Sequence, residues 1–159
     1  MSIKTWVEEF YPAPEDGRLR WPDWQSALES AILKWSGATE SNLKKHSLEK
    51  TVMRIKDDLD QTFSFSSYTC GLCDLTEDIS SGGTNSCYSC PIYAANGRSC
   101  DNPSESDDLS ESDDLSEFGQ WTTNDNPYPM IRLLDKTKEY MKTHHFDYKI
   151  KEWRENGTT

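Results

Sequence analysis

The chain has 159 residues, with 17 Lys and Arg against 28 Asp and Glu, and a formal net charge of -11. Only 34% of the residues are apolar and the mean hydropathy is -0.85, so the core is small for this length and needs support beyond apolar burial. The sequence offers no apolar run suited to a membrane-spanning helix, its start Met1-Ser2-Ile3-Lys4-Thr5-Trp6 lacks the apolar stretch of a secretory signal, and its acidity argues against a general DNA or RNA binder, which needs clustered cations.

Along the chain, Trp6, Val7, Phe10 and Tyr11 predict one apolar helical turn, ended by Pro12-Ala13-Pro14. Pro22-Asp23-Trp24 opens a longer helix. Within it Trp24, Ala27, Leu28, Ala31, Ile32 and Trp35 recur at helical spacing, an amphipathic stripe closed by Gly37, and this spacing is that of a core-facing helix. Ser41 is expected to cap a short helix from Asn42 to about Leu48. Its Lys44, Lys45 and His46, with Lys50, form the N-terminal candidate for an anionic partner, although three lysines read more simply as a solvated face. The stretch from Thr51 to Lys56 fits either a strand or continued helix. Residues from Thr62 to Thr69 alternate as a strand does and run directly into Cys70.

Five cysteines follow: Cys70, Cys73, Cys87, Cys90 and Cys100. An odd number in a chain with no secretory signal is a poor disulfide framework and a better metal site. The order is C-x2-C, thirteen residues, C-x2-C, then nine residues and the fifth Cys. Two such pairs suit a tetrahedral four-thiolate site, because two intervening residues let the chain turn both sulfurs toward one ion. A structural zinc on Cys70, Cys73, Cys87 and Cys90 is therefore the first expectation. The second is an iron–sulfur cluster, with Cys100 replacing Cys70 or Cys87, since Pro91 has no N–H to give a sulfur and Cys-Pro occurs in iron–sulfur ligand runs. Reversible disulfide chemistry is the third. His144 and His145 are alternative ligands, but a His pair after a helix is more often polar surface.

No catalytic constellation accompanies the cysteines. The deaminase pattern H-x-E…P-C-x-x-C, the zincin H-E-x-x-H, a phosphate-binding loop, a dinucleotide fingerprint and the nucleophile elbow G-x-S-x-G are all missing from the sequence. A Cys nucleophile would need a nearby His, and His46 lies in a polar, helix-like stretch. The expectation is a protein that is not an enzyme.

After Cys100 the composition shifts. Glu105-Ser106-Asp107-Asp108-Leu109-Ser110 recurs unchanged as Glu111-Ser112-Asp113-Asp114-Leu115-Ser116. The unit is too short for a solenoid, and it lacks the spacing of a calcium loop. Its composition is that of a disordered linker, and its carboxylates (Glu105, Asp107, Asp108, Glu111, Asp113 and Asp114) could also meet the basic surface of a protein partner in the way nucleic-acid phosphates do. Residues 99–131 hold nine acidic side chains and no Lys or Arg, so the charge of the chain is concentrated there. Beyond them a helix is expected from about Met130 to Lys142, and Phe146, Tyr148 and Ile150 alternate as a closing strand or a docked extension would. Asn156-Gly157-Thr158 matches a glycosylation acceptor, which is set aside without a secretory signal.

These features predict an α+β, mainly helical fold: residues 1–100 and 127–159 as one small helical domain with a Cys-rich metal-binding insertion, and 101–126 as an acidic linker or loop. Phe10-Tyr11-Pro12-Ala13-Pro14, Leu33-Lys34-Trp35-Ser36-Gly37, Cys70-Gly71-Leu72-Cys73, Cys87-Tyr88-Ser89-Cys90-Pro91 and Pro129-Met130-Ile131 together resemble small cysteine-rich proteins of bacteriophage genomes. The resemblance implies a bacterial cytoplasmic setting and favours a protein that binds and blocks a host or defence enzyme handling nucleic acid. The alternatives are a zinc-ribbon accessory factor in nucleic-acid transactions, using Lys44, Lys45 and the C-terminal lysines, and an iron–sulfur or thiol redox protein.

Overall fold

The first helix, α1, runs Ile3–Phe10 rather than for a single turn. Its start is held from outside: the backbone N–H of Ile3 donates to Asp57 Oδ2 at 3.2 Å, and that of Ser2 to Thr5 Oγ1 at 3.2 Å. Both satisfy amides that a helix N-terminus otherwise leaves unpaired. The computed structural model describes residues 2–12, 21–66, 69–80, 86–100 and 116–157.

Helix α2, Trp24–Gly37, is the central element. Asp23 caps it, accepting from the Ser26 N–H at 2.7 Å. Its stripe is buried as expected, from Trp24 through Ala27, Leu28 and Ala31 to Trp35, while Ile32 is half-buried. Eleven residues of rise carry this stripe over roughly 16 Å, far enough to join two aromatic clusters. At one end Trp24 packs on Phe146 and Trp153, with ring centroids at 5.3 and 5.6 Å. At the other, Trp35 meets Phe65 at 5.2 Å and Trp121 at 5.3 Å. The far cluster extends through Phe63 to Trp6, whose indole N–H donates to the Gly37 carbonyl at 3.0 Å and ties α1 to the end of α2.

Helix α3 covers Glu40–Lys45, a start earlier than the sequence suggests, with Thr39 rather than Ser41 at the N-cap position. The ambiguous stretch after it is neither one strand nor a helix. It is a tight antiparallel hairpin, β1 Glu49–Thr51 and β2 Arg54–Lys56, and β3 Thr62–Ser64 adds a third strand in the order β1-β2-β3. Strand pairing ends at Ser64, although Phe65 continues into the core.

Helix α4 spans Gly71–Ser80, a 3-10 turn follows at Ser86–Ser89, and α5 is Pro91–Asn96. Helix α6 is Glu117–Asn124, α7 is Tyr128–Thr143, and β4 His144–Asp147 pairs with β5 Glu152–Glu155 as a closing hairpin. Helix α2 packs on α1, α4 and α7, and α7 in turn carries α5 and α6. The fold is α+β and mainly helical. No helix among the described residues is long and apolar enough to cross a membrane.

Two expectations need correction here. The linker assigned to 101–126 is too long, because residues 117–124 are helical and Trp121 is fully buried. Acidic composition concealed one well-spaced aromatic residue that pays in burial for ordering the segment. His46 is likewise not polar surface. It is 2% exposed, with Nε2 2.9 Å from Glu9 Oε2 and Nδ1 3.0 Å from Thr5 Oγ1, bridging α3 to α1.

Candidate metal centre

Each C-x2-C pair has its own local support. The first does not follow a strand into a turn as expected: Cys70 immediately precedes α4 and Cys73 lies within its first turn. In that position the amides of Leu72 and Cys73 point at the Cys70 sulfur. In the second pair, Cys87 sits in the exposed 3-10 turn and Cys90 at the N-cap of α5, where Pro91 is favoured because the first helical amide has no partner to lose. The amides of Ile92 and Tyr93 at the start of α5 favour the Cys90 thiolate, although the Cys90 side chain forms no capping hydrogen bond. Gly97, at φ +74°, closes α5 in the left-handed conformation and turns the chain back toward Cys100.

Cys70, Cys73, Cys87 and Cys100 line one cavity of about 400 Å³ between α2, α4 and α7. Its walls are largely apolar, with Trp35, Ile92, Phe118, Met130 and Leu134, and one cation, Lys34, enters from α2. Cys90 is buried beside the cavity without lining it. None of the five is joined to another by a disulfide. Among the described residues, no three His, Cys, Asp or Glu side chains are gathered as the ligands of one ion.

The thiols are electrostatically unequal. A hydrogen bond from Cys73, the Lys34 charge and the two amides pull the Cys70 thiol below the ordinary thiol range against the burial that opposes them. Cys73, which gives that hydrogen bond and is itself buried, is held far above the ordinary thiol range. Burial pushes the Cys90 thiol up to about 12, in spite of its two amide donors. Lys34 is 2% exposed, and burial lowers its affinity for a proton while thiolate charge on Cys70, Cys73 and Cys100 restores part of it. These contacts favour the thiolate form of Cys70, the form that binds a metal.

Lys34 was not singled out as a site residue. A signal existed, since Lys34 follows Ala27 and Ala31 at helical spacing and is the cation on the otherwise apolar face of α2. Neither His144 nor His145 lines the cavity: His144 stacks on Tyr140 with ring centroids 3.8 Å apart, and His145 is exposed beside Asn156. The N-terminal lysines are engaged elsewhere, Lys44 with Glu40 and Lys45 with Glu9 at 2.5 Å each, and Lys50 with Asp125.

The proposed partner-facing residues Glu105, Asp107, Asp108, Glu111, Asp113 and Asp114 lie outside the described residues. The points where the chain enters and leaves that segment are described. The backbone N–H of Phe118 donates to the Cys100 carbonyl at 3.3 Å, so the residues flanking the segment meet at the wall of the cysteine cavity. Arg98 and Glu117 pair across the same junction at 2.5 Å. No family model matches the chain, and no curated protein or solved structure matches it either.

Proposed function

We propose that this is a non-enzymatic interaction protein of a bacteriophage setting, in which a small helical core, pinned by a structural thiolate metal centre, presents the acidic segment 101–115 to a basic surface of a protein partner. The sharpest form is an inhibitor of a host or defence enzyme that handles nucleic acid. The observation that carries the reading is the junction of Phe118 with Cys100. It fixes both ends of the most acidic part of the chain to one point on the cysteine cavity. A metal that rigidifies the cavity would also fix the base of that segment, lowering the ordering cost of association. The zinc-ribbon alternative has less support, because Lys44, Lys45 and Lys50 are already neutralised by carboxylates of the same chain.

The test is retention of proteins from bacterial lysate on the tagged full chain, beside a variant carrying Asp107→Asn, Asp108→Asn, Asp113→Asn and Asp114→Asn. A specific partner with a basic face should be held at low salt, released as ionic strength rises, and lost by the variant. Equal retention by both chains would sink the reading. So would a shift of nucleic acid by the wild-type chain with no protein retained.

A further inference from the structure

We infer that the groove between α5, α6 and α7 binds the phosphoryl group of a small molecule, held by Arg98, Arg132 and Lys136. The groove shares no lining residue with the cysteine cavity, so the inference stands whether or not that cavity holds a metal.

The groove follows from helix geometry. Pro129, Arg132, Leu133 and Lys136 occupy positions i, i+3, i+4 and i+7 of α7 and therefore share one face. Pro129 and Leu133 are buried, whereas Arg132 and Lys136 are exposed. Helices α5 and α6 both pack on α7. The left-handed turn at Gly97 ends α5, and Arg98 just beyond it lies against Glu117, in the first turn of α6. These segments enclose about 340 Å³, a volume in the range of small-molecule sites.

Charge selects the ligand. The groove brings together three cations and one carboxylate, an excess of two positive charges in a chain of net charge -11. Among the described residues, neither Arg132 nor Lys136 has an ion-pair partner, unlike Lys44, Lys45, Lys50 and Lys142. Four residues apart on one helix they repel each other, and an anion between them replaces that repulsion by attraction. A phosphate monoester carries about two negative charges at neutral pH, enough to match the excess, and its oxygens suit the guanidinium fork.

Arg98 is held ready for such a ligand. Its Nη2 donates to Glu117 Oε1 at 2.5 Å, and Glu117 Oε2 is buried without a hydrogen-bond partner. Arg98 thus compensates a carboxylate that is only 9% exposed, and moving it away would strand that charge. The Arg98 side chain nonetheless remains 36% exposed and lines the groove. A guanidinium already fixed in place loses little freedom on binding. The acidity of the whole chain opposes a long polyanion such as nucleic acid, which leaves a small phosphate as the ligand.

The full chain is titrated by calorimetry, in chloride buffer, with inorganic phosphate and with glycerol phosphate, and the amide shifts of the isotope-labelled chain locate the site. One saturable site per chain is expected, with shifts concentrated in α7 and the adjoining parts of α5 and α6. Tighter binding of glycerol phosphate identifies an ester as the ligand, and tighter binding of phosphate identifies the free ion; either supports the site. The double variant Arg132→Gln, Lys136→Gln changes exposed side chains only, and far-ultraviolet circular dichroism checks its fold. It should bind roughly tenfold or more weakly. Lys138→Gln, at an exposed position of α7 outside the groove, should change affinity by less than about twofold. The site is overturned if neither probe saturates in the millimolar range, or if the double variant binds as the wild type does. A comparable loss in Lys138→Gln would reduce the effect to general charge and overturn it too. Tighter phosphate binding by the chain carrying Asp107→Asn, Asp108→Asn, Asp113→Asn and Asp114→Asn would make the acidic segment the occupant and overturn the small-molecule assignment.

Discussion

The ammonium of Lys34, in the last turn of the core helix α2, donates to the carbonyl of Thr69 at 2.7 Å, one residue before Cys70. The bond joins the most regular part of the fold to the entrance of the cysteine cavity. It also leaves a buried cation facing the thiols. Its contribution depends on what the cavity holds. Without metal, the cost of burying the charge largely offsets the hydrogen bond, whereas with an anionic metal centre the charge is compensated.

Lys34→Met separates these two cases. In the metal-free, reduced chain it should change stability by less than about 1 kcal/mol, because relief of desolvation balances the lost bond. Metal affinity should fall roughly ten- to a hundredfold, the usual effect of removing a group that supports a ligand shell. Urea unfolding of the apo chain and chelator competition of the loaded chain measure the two quantities. Equal affinity in both chains would remove Lys34 from the site.

Trp121 should behave as core although it follows an acidic tract. It is fully buried, 4.4 Å from Phe65 and 5.3 Å from Trp35 between ring centroids. Trp121→Ala should cost about 3–5 kcal/mol, read from the urea midpoint at constant slope. A loss under 1 kcal/mol, far below that range, would return residues 117–124 to the linker.

Gly37→Ala should destabilise, against the ordinary preference of a helix for alanine. A Cβ at this position would lie 2.6 Å from Phe10 Cγ and 2.7 Å from Trp6 Cζ2, both in the buried cluster. Relieving that overlap moves α1 away from α2, at a cost of roughly 1–3 kcal/mol. Thermal or urea unfolding that showed a gain would mean that α1 does not approach α2 so closely.

Asp57 makes stability depend on pH. Its carboxylate accepts from the amides of Ile3, Leu59 and Gln61, and these donors hold its proton affinity below the usual carboxylate value although desolvation acts in the opposite direction. The folded chain therefore binds this proton more weakly than the unfolded chain does. The contribution is complete above the unfolded carboxylate range, near pH 4, and disappears as pH falls through the lower folded value. Asp57→Asn keeps the side-chain shape but loses the charge. It should be less stable than wild type at pH 7, with the difference shrinking below about pH 4. Urea midpoints across that interval provide the comparison, and parallel curves would exclude the effect.

The sequence by itself determined the parts of this protein that depend on neighbours along the chain. Helix α2 was legible from the period of its stripe and from Asp23, since amphipathic spacing and a capping side chain act within a few residues. Helix α7 was legible for the same reason, within two residues at each end. The strand expected through Phe146, Tyr148 and Ile150 is instead a hairpin that holds Tyr148 and Ile150 in its exposed turn, because their alternation is not one buried face. The mainly helical α+β class follows from these. The two Cys pairs announced a candidate site, but their spacing could say only which sulfurs were near in sequence. Tertiary structure decided that Cys100 lines the cavity with Cys70, Cys73 and Cys87, that Lys34 faces the thiols, and that Trp121 completes the core. Each of these outcomes depends on contact between segments tens of residues apart. Such contacts leave no local period in the sequence, because the energy that selects them arises only when the packed helices enclose the space.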